Sequence, residues 1–175
     1  FLLQEMYKKS ILYPIAQDVF IHHEVTALLF YRIALQSAMY NAQDWISGNI
    51  LKLFCKDIDL SSQHISNMFK YLGEESVQRA FFSQYLQGVS GNKKAVMIDA
   101  TSLPNQISTD FNAWGYAEGA IEKQFRLLCV LDKDTKKPIF YRYLPGNLSD
   151  VSTLEQTILE LLHLGVQTSF VLIDA

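Results

Sequence analysis

The sequence predicts a two-part chain: a helical first half, then an α+β second half built on a mixed sheet. Three observations predict it. Apolar residues recur at three- and four-residue spacing through the first ninety positions and then give way to short continuous apolar runs. Four such runs follow position 94, with a helical pattern between the third and the fourth. Hydrophobic residues make up 49% of the 175, enough for packed cores and too many for a disordered chain.

In the first half, Val25, Leu28, Leu29, Ile33 and Leu35 mark one helix, with Arg32 interrupting, and Ile46, Ile50, Leu53 and Phe54 mark a second. Ile65, Met68, Phe69 and Leu72 follow the i, i+3, i+4, i+7 spacing of a buried helix face. Ser61 or Ser62 suits the start of that helix and Gly73 its end. A fourth helix is expected over 74–86, with 88–91 as a linker. Boundaries of 1–90 and 91–175 follow. The segments 45–55 and 62–72 fit a helix-turn-helix, which would bring Ser62, Gln63, His64 and Asn67 to DNA base edges. A plain bundle packed on the rest of the chain fits the same pattern.

The second half opens with the buried-strand run Ala95–Ile98. Gln124–Leu131 is a second strand, 132–137 a polar turn and Ile139–Leu144 a third strand, halted by Pro145-Gly146-Asn147. Ser152 and Glu155 form a capping-box pattern for a helix whose apolar face is Leu154, Ile158, Leu161 and Leu162, with Gly165 at its end. Ser169–Ile173 is the fourth strand. Short turns make the first three strands an antiparallel meander, and a right-handed crossover makes the fourth parallel to the strand it joins. Placed beside the first strand, it gives the order 3-2-1-4, the opening of an RNase H-like fold. The pattern also allows it on the other edge.

Two of these runs lead into aspartates, Asp99 and Asp174. On neighbouring parallel strands, roughly 5 Å apart, the two carboxylates emerge together. Such a pair calls for a shared cation, and hard oxygen donors suit Mg²⁺. Two such ions can activate a nucleophile and stabilise the leaving oxygen in phosphodiester cleavage.

The stretches 98–105 (Ile-Asp-Ala-Thr-Ser-Leu-Pro-Asn), 144–154 (with Pro145-Gly146-Asn147 and Asp150) and 172–175 (Leu-Ile-Asp-Ala) resemble, in order and spacing, the motifs of bacterial insertion-sequence transposases of the DDE class. The resemblance covers about residues 95–175. It implies metal-assisted cleavage at transposon ends and strand transfer, with Mg²⁺ or Mn²⁺ as cofactor. Its partner is double-stranded DNA, both transposon ends and target, and a homodimer is left open. Asp99 and Asp174 match the first two members of the Asp-Asp-Glu triad. No glutamate matches the third: Glu155 and Glu160 precede the second aspartate. The chain therefore reads as a transposase fragment that is inactive alone, or alternatively as a non-catalytic DNA-binding remnant. Uncovered apolar surface and self-association are expected of such a fragment.

The region 104–121 reads as a long loop, in which Trp114 and Tyr116 can either stack on an unpaired base or pack onto the sheet. Arg126 and Arg142 fit phosphate contacts and surface charges equally. Charge is uneven, −1 over 1–50, +2 over 51–94 and −4 over 95–175. That is compatible with DNA chemistry without suggesting it. Cys55 and Cys129 fit no metal spacing and, being sparse, point to a reducing, cytoplasmic setting. His22-His23 has no ligand partner at spacing, and no segment reads as a membrane span.

Overall fold

Why the chain divides where it does is visible in its contacts. A computed structural model of the protein describes residues 2–20, 24–49, 58–89, 93–117, 119–148 and 150–173. They form two compact units, 1–85 and 86–175. His22, His23 and Cys55 lie outside the described residues.

The first unit contains α1 (Leu2–Lys8), α2 (Leu12–Val19), α3 (Glu24–Leu35), α4 (Ala42–Ser47), α5 (Ser62–Leu72) and most of α6 (Glu75–Val89). Its main core joins Ala27, Leu28 and Tyr31 of α3, Ala42 and Ile46 of α4, Leu60, and Ile65 and Met68 of α5. The inward face of α3 is therefore Ala27, Leu28, Phe30 and Tyr31, whereas Ile33 and Leu35 are exposed. Small Ala27 and Ala42, both essentially inaccessible, leave room for the Tyr31 ring, whose hydroxyl donates to the Ala38 carbonyl (2.6 Å). α5 has the bounds its periodicity predicts. Ser61 caps it by accepting from the His64 amide (3.4 Å), and Gly73 closes it. Phe69, expected inside, is 46% exposed.

The second unit is a five-stranded mixed sheet with one helix: β1 (Lys94–Pro104), β2 (Ala113–Ala117), β3 (Ala120–Asp132), β4 (Pro138–Pro145), α7 (Asp150–His163) and β5 (Thr168–Ile173). β1 lies between β3, antiparallel, and β5, parallel. The other edge of β3 holds β4 along 125–131 and β2 along 120–124. Setting β2 aside, the order β4-β3-β1-β5 is the expected 3-2-1-4.

Three expectations need correcting. The region read as a loop over 104–121 contains β2, which forms a hairpin with β3 through Gly119 at φ +91°, a backbone glycine adopts without strain. β1 does not stop at Asp99 but runs on through Ala100, Thr101 and Ser102, whose low hydrophobicity hid the strand. α7 starts at Asp150, so Ser152 lies inside the helix rather than capping it. Its buried stripe is Thr153, Thr157 and Leu161, while Leu162 is 54% exposed. The Thr157 hydroxyl donates to the Thr153 carbonyl (2.8 Å), which lets a polar pair face the sheet.

α7 ends as its sequence predicts. Gly165, at φ +88°, donates its amide to Leu162 O (2.9 Å), and the Val166 amide reaches back to Leu161 O (2.8 Å). This glycine-centred reversal delivers the chain into β5 with Val166 buried.

Candidate functional site

Asp99 is the sixth residue of β1. Strand side chains alternate between faces, and Val96 and Ile98 are buried on the face they share with Leu128 and Val130. Asp99 therefore shares the opposite face with Met97 and with its cross-strand partner Cys129, and it is exposed. The parallel pairing with β5 covers Lys94–Ile98 and ends on Ile98 opposite Ile173. Each of these isoleucines is followed in sequence by an aspartate. Asp174 itself lies outside the described residues.

Cys129 is a free, half-buried thiol. Burial pushes it up, and the negative charge of Asp99 pushes it further. The donors described here are thus one accessible hard carboxylate and one soft thiol held protonated. Among the described residues no group of three or more His, Cys, Asp or Glu side chains gathers to hold a metal. The carboxylate suits Mg²⁺ or Mn²⁺ as an oxygen donor, and it needs further oxygen ligands to complete a shell.

The two arginines on the strands have partners within the unit. Arg142 Nη1 lies 3.5 Å from Glu160 on α7, and Arg126 donates to the Leu148 carbonyl (3.0 Å). Arg142 is on the α7 face, since it pairs with buried Leu128. Glu160 therefore lies across the sheet from Asp99 and does not supply a third carboxylate there.

The Pro145-Gly146-Asn147 turn has a packing role. The end of β4 abuts the start of β2 on one edge of β3, and Gly146 donates its amide to the Phe111 carbonyl (3.3 Å). A Cβ on Gly146 would sit 2.2 Å from the Gln124 carbonyl oxygen, and one on Gly115 2.2 Å from the Gly146 carbonyl oxygen. Both positions therefore require glycine for space. Between them lies Gln124, 1% exposed, whose amide donates to the Gly146 and Tyr116 carbonyls (3.4 Å each). Sequence reasoning missed Gln124; a lone glutamine in an apolar strand was the available signal.

This glycine-packed joint holds the β2–β3 hairpin, whose other face carries Trp114, Tyr116, Ile121 and Lys123. Trp114 and Tyr116 are 63% and 73% exposed. The Lys123 ammonium lies over the Trp114 ring, 5.9 Å from its centroid.

On α5, Ser62, Gln63 and Asn67 are exposed, and the Gln63 amide donates to Asn67 (3.3 Å). His64 is half-buried instead, with Nε2 3.5 Å from Glu24 and Nδ1 3.9 Å from Asp59. The expected first helix of a helix-turn-helix, 45–55, is described only as far as Asn49, and α4 ends at Ser47.

No helix among the described residues is long and apolar enough to cross a membrane. No curated protein matches the chain. Among solved structures, a chain of the "Mos1 transposase paired-end complex with left transposon end" is similar at 15% identity and a TM-score of 0.25. The similarity covers 69% of this chain and 44% of that one, so this chain spans less than half of the length of the protein it matches. Residues 90–175, which hold Asp99 and the whole sheet, match the family model of the transposase DDE domain.

Proposed function

We propose that the chain is part of a DDE transposase in which Asp99 and Asp174 together hold a catalytic divalent cation, Mg²⁺ or Mn²⁺. The observation that carries this reading is the parallel register of Ile98 opposite Ile173, each followed in sequence by an aspartate. The residues following a matched pair on adjacent parallel strands share a face, roughly 5 Å apart. The family match over 90–175 supports the same reading.

Asp99 and Asp174 would hold the cation, which would supply Lewis-acid activation of a water or 3′-hydroxyl for phosphodiester cleavage and strand transfer. The protein's own part is to fix two carboxylates on rigid strands. β1 is paired on both sides up to Ile98, which restricts the direction of Asp99. The third carboxylate of the triad has no match in these 175 residues, so the chain alone is proposed to bind the cation weakly and leave DNA uncut. The partner is proposed to be double-stranded DNA at transposon ends and target, with Ser62, Gln63 and Asn67 of α5 available to it and His64 orienting the start of that helix.

The test measures Mn²⁺ binding by the electron paramagnetic resonance of free Mn²⁺, with wild type, Asp99→Asn and Asp174→Asn compared. Each variant is expected to lose tenfold or more in affinity with an unchanged circular dichroism spectrum. The same variants, tested in a parent carrying all three carboxylates, should lose plasmid cleavage. Cation binding that survives both substitutions would overturn the assignment, and DNA binding without any cation dependence would favour a non-catalytic remnant.

A further inference from the structure

Three features meet at the β2–β3 hairpin, and the active-site reading uses none of them. The first is a cleft of about 540 Å³ bordered by Pro104 and Gln106 on one side and by Trp114, Ile121 and Lys123 on the other. The second is the exposure of its apolar members: Trp114, Ile121 and neighbouring Tyr116 are each at least 63% exposed. An isolated exposed aromatic is ordinary, but two aromatics and an isoleucine on one face of a two-stranded ribbon are costly to leave wet. The third is the Lys123 ammonium over the Trp114 ring.

The ribbon is also held firmly. Gly115 and Gly146 permit backbone approaches that any side chain would block, and buried Gln124 ties β2 to the Pro145-Gly146 turn. The loop on the far side of the cleft is braced too. The Asn105 side-chain Nδ2 donates to Leu103 O (2.9 Å), its Oδ1 accepts from the Ile107 amide (3.0 Å), and Asn112 Nδ2 donates to the Ile107 carbonyl (2.7 Å). Asn105 is thereby committed to the loop, which leaves Gln106 as the exposed amide at the cleft. Glu122 also borders the cleft, but it alternates to the opposite side of β3 from Lys123.

We infer that this cleft seats an unpaired nucleotide of the DNA strand, stacked on Trp114 with its phosphate at Lys123. A flat indole, a cation beside it and an exposed amide are the groups that bind a base by its face, its backbone and its edge. Ile121, on the same face of β3 as Lys123, supplies an apolar wall for a planar ring. The inference rests on the transposase reading, because the position relative to Asp99 gives it meaning. Lys123 and Cys129 lie six residues apart on one face of β3, and Cys129 is the cross-strand partner of Asp99. At roughly 3.4 Å per residue the cleft is about 20 Å from the carboxylate, or about six base-pair steps of B-form DNA. A strand cut at Asp99 therefore reaches the hairpin within one turn of helix, where one base leaves the stack.

The test is tryptophan fluorescence of the 175-residue chain in EDTA, titrated with a ten-thymidine oligonucleotide and with a blunt duplex of the same length. Trp45, packed against Tyr31 in the helical unit, is the internal reference. The single strand should quench Trp114 and bind more tightly than the duplex. Trp114→Ala should abolish the quenching and weaken binding by about tenfold or more. Trp114→Phe should keep most of the affinity. Lys123→Gln should weaken binding and lower its salt dependence by about one charge. Equal affinity in Trp114→Ala, or equal quenching by the duplex, would overturn the inference. The two readings fail separately: Mn²⁺ binding lost on Asp99→Asn with no single-strand effect removes only the cleft, and the reverse result removes only the metal site.

Discussion

Asp132 shows how a polar residue ends up inside this sheet. Its carboxylate accepts from Lys94 Nζ at 2.5 Å and from the amides of Asp134 and Thr135, closing the turn between β3 and β4. The Lys94 hydrogen bond, with the Thr135 amide next, holds its carboxyl down at about 2 against 3.8 for an ordinary aspartate. A depressed folded-state value makes a contribution that is full above pH 4 and is lost as pH falls through 2. With solvent screening this amounts to roughly 1–2 kcal/mol. Asp132→Asn should therefore lower stability by about that amount at pH 7 and flatten the loss between pH 4 and 2, read as urea midpoints at several pH values. An unchanged midpoint at pH 7 would mean that the ion pair contributes nothing net. Asp99 contrasts with it. Exposed and without a structural partner among the described contacts, it should tolerate Asn with a change in thermal midpoint of no more than about 2 °C. The two aspartates also differ in legibility. Asp99 stands out because an apolar run leads into it, whereas Asp132 reads as one more charge in a polar turn, since its partner Lys94 is 38 positions away.

At the scale of elements, α5 and the C-terminus of α7 were legible because local chemistry decides them, through a serine cap, a 3.6-residue period and a glycine reversal. β2 was not. Its five residues contain one glycine and two alanines, and it exists because the hairpin can approach the Pro145-Gly146 turn, a contact no local pattern reports. The same contact explains the Pro-Gly-Asn motif in steric terms. Gly146→Ala and Gly115→Ala should each destabilise by about 1–3 kcal/mol through overpacking against backbone oxygens. Amide exchange at Trp114 and Tyr116 should accelerate in both variants while that of β1 and β4 changes less. Uniform acceleration across the sheet would show that the joint supports the whole unit rather than the hairpin. The misplaced start of α7 has a similar origin. Ser152 and Glu155 carry the right spacing for a cap, but the helix starts two residues earlier, at Asp150.

For the whole molecule, the strand order was legible because crossover handedness and strand length leave few alternatives once the four apolar runs are placed. Uncovered apolar surface was expected as well, but not which face of the sheet carries it. α7 covers the face of Val96, Ile98, Leu128 and Val130, all buried. The face that carries Asp99 also presents Phe170 and Leu172 of β5 and Tyr141 and Tyr143 of β4, each 37–53% exposed. β5 pairs with β1 alone among the described strands, so its outer edge offers unpaired backbone beside this apolar surface. An apolar face next to an open edge is a template for further strand or face pairing. The chain should accordingly self-associate with rising concentration in sedimentation velocity. Leu172→Lys, a charge on the open face of the edge strand, should shift the distribution toward monomer without lowering the unfolding midpoint. Such a shift would locate the contact at β5 and show that the Asp99 face is free in the monomer. A distribution unmoved by the lysine would place the association elsewhere, and a wild type that stays monomeric would show that this face tolerates water as it stands.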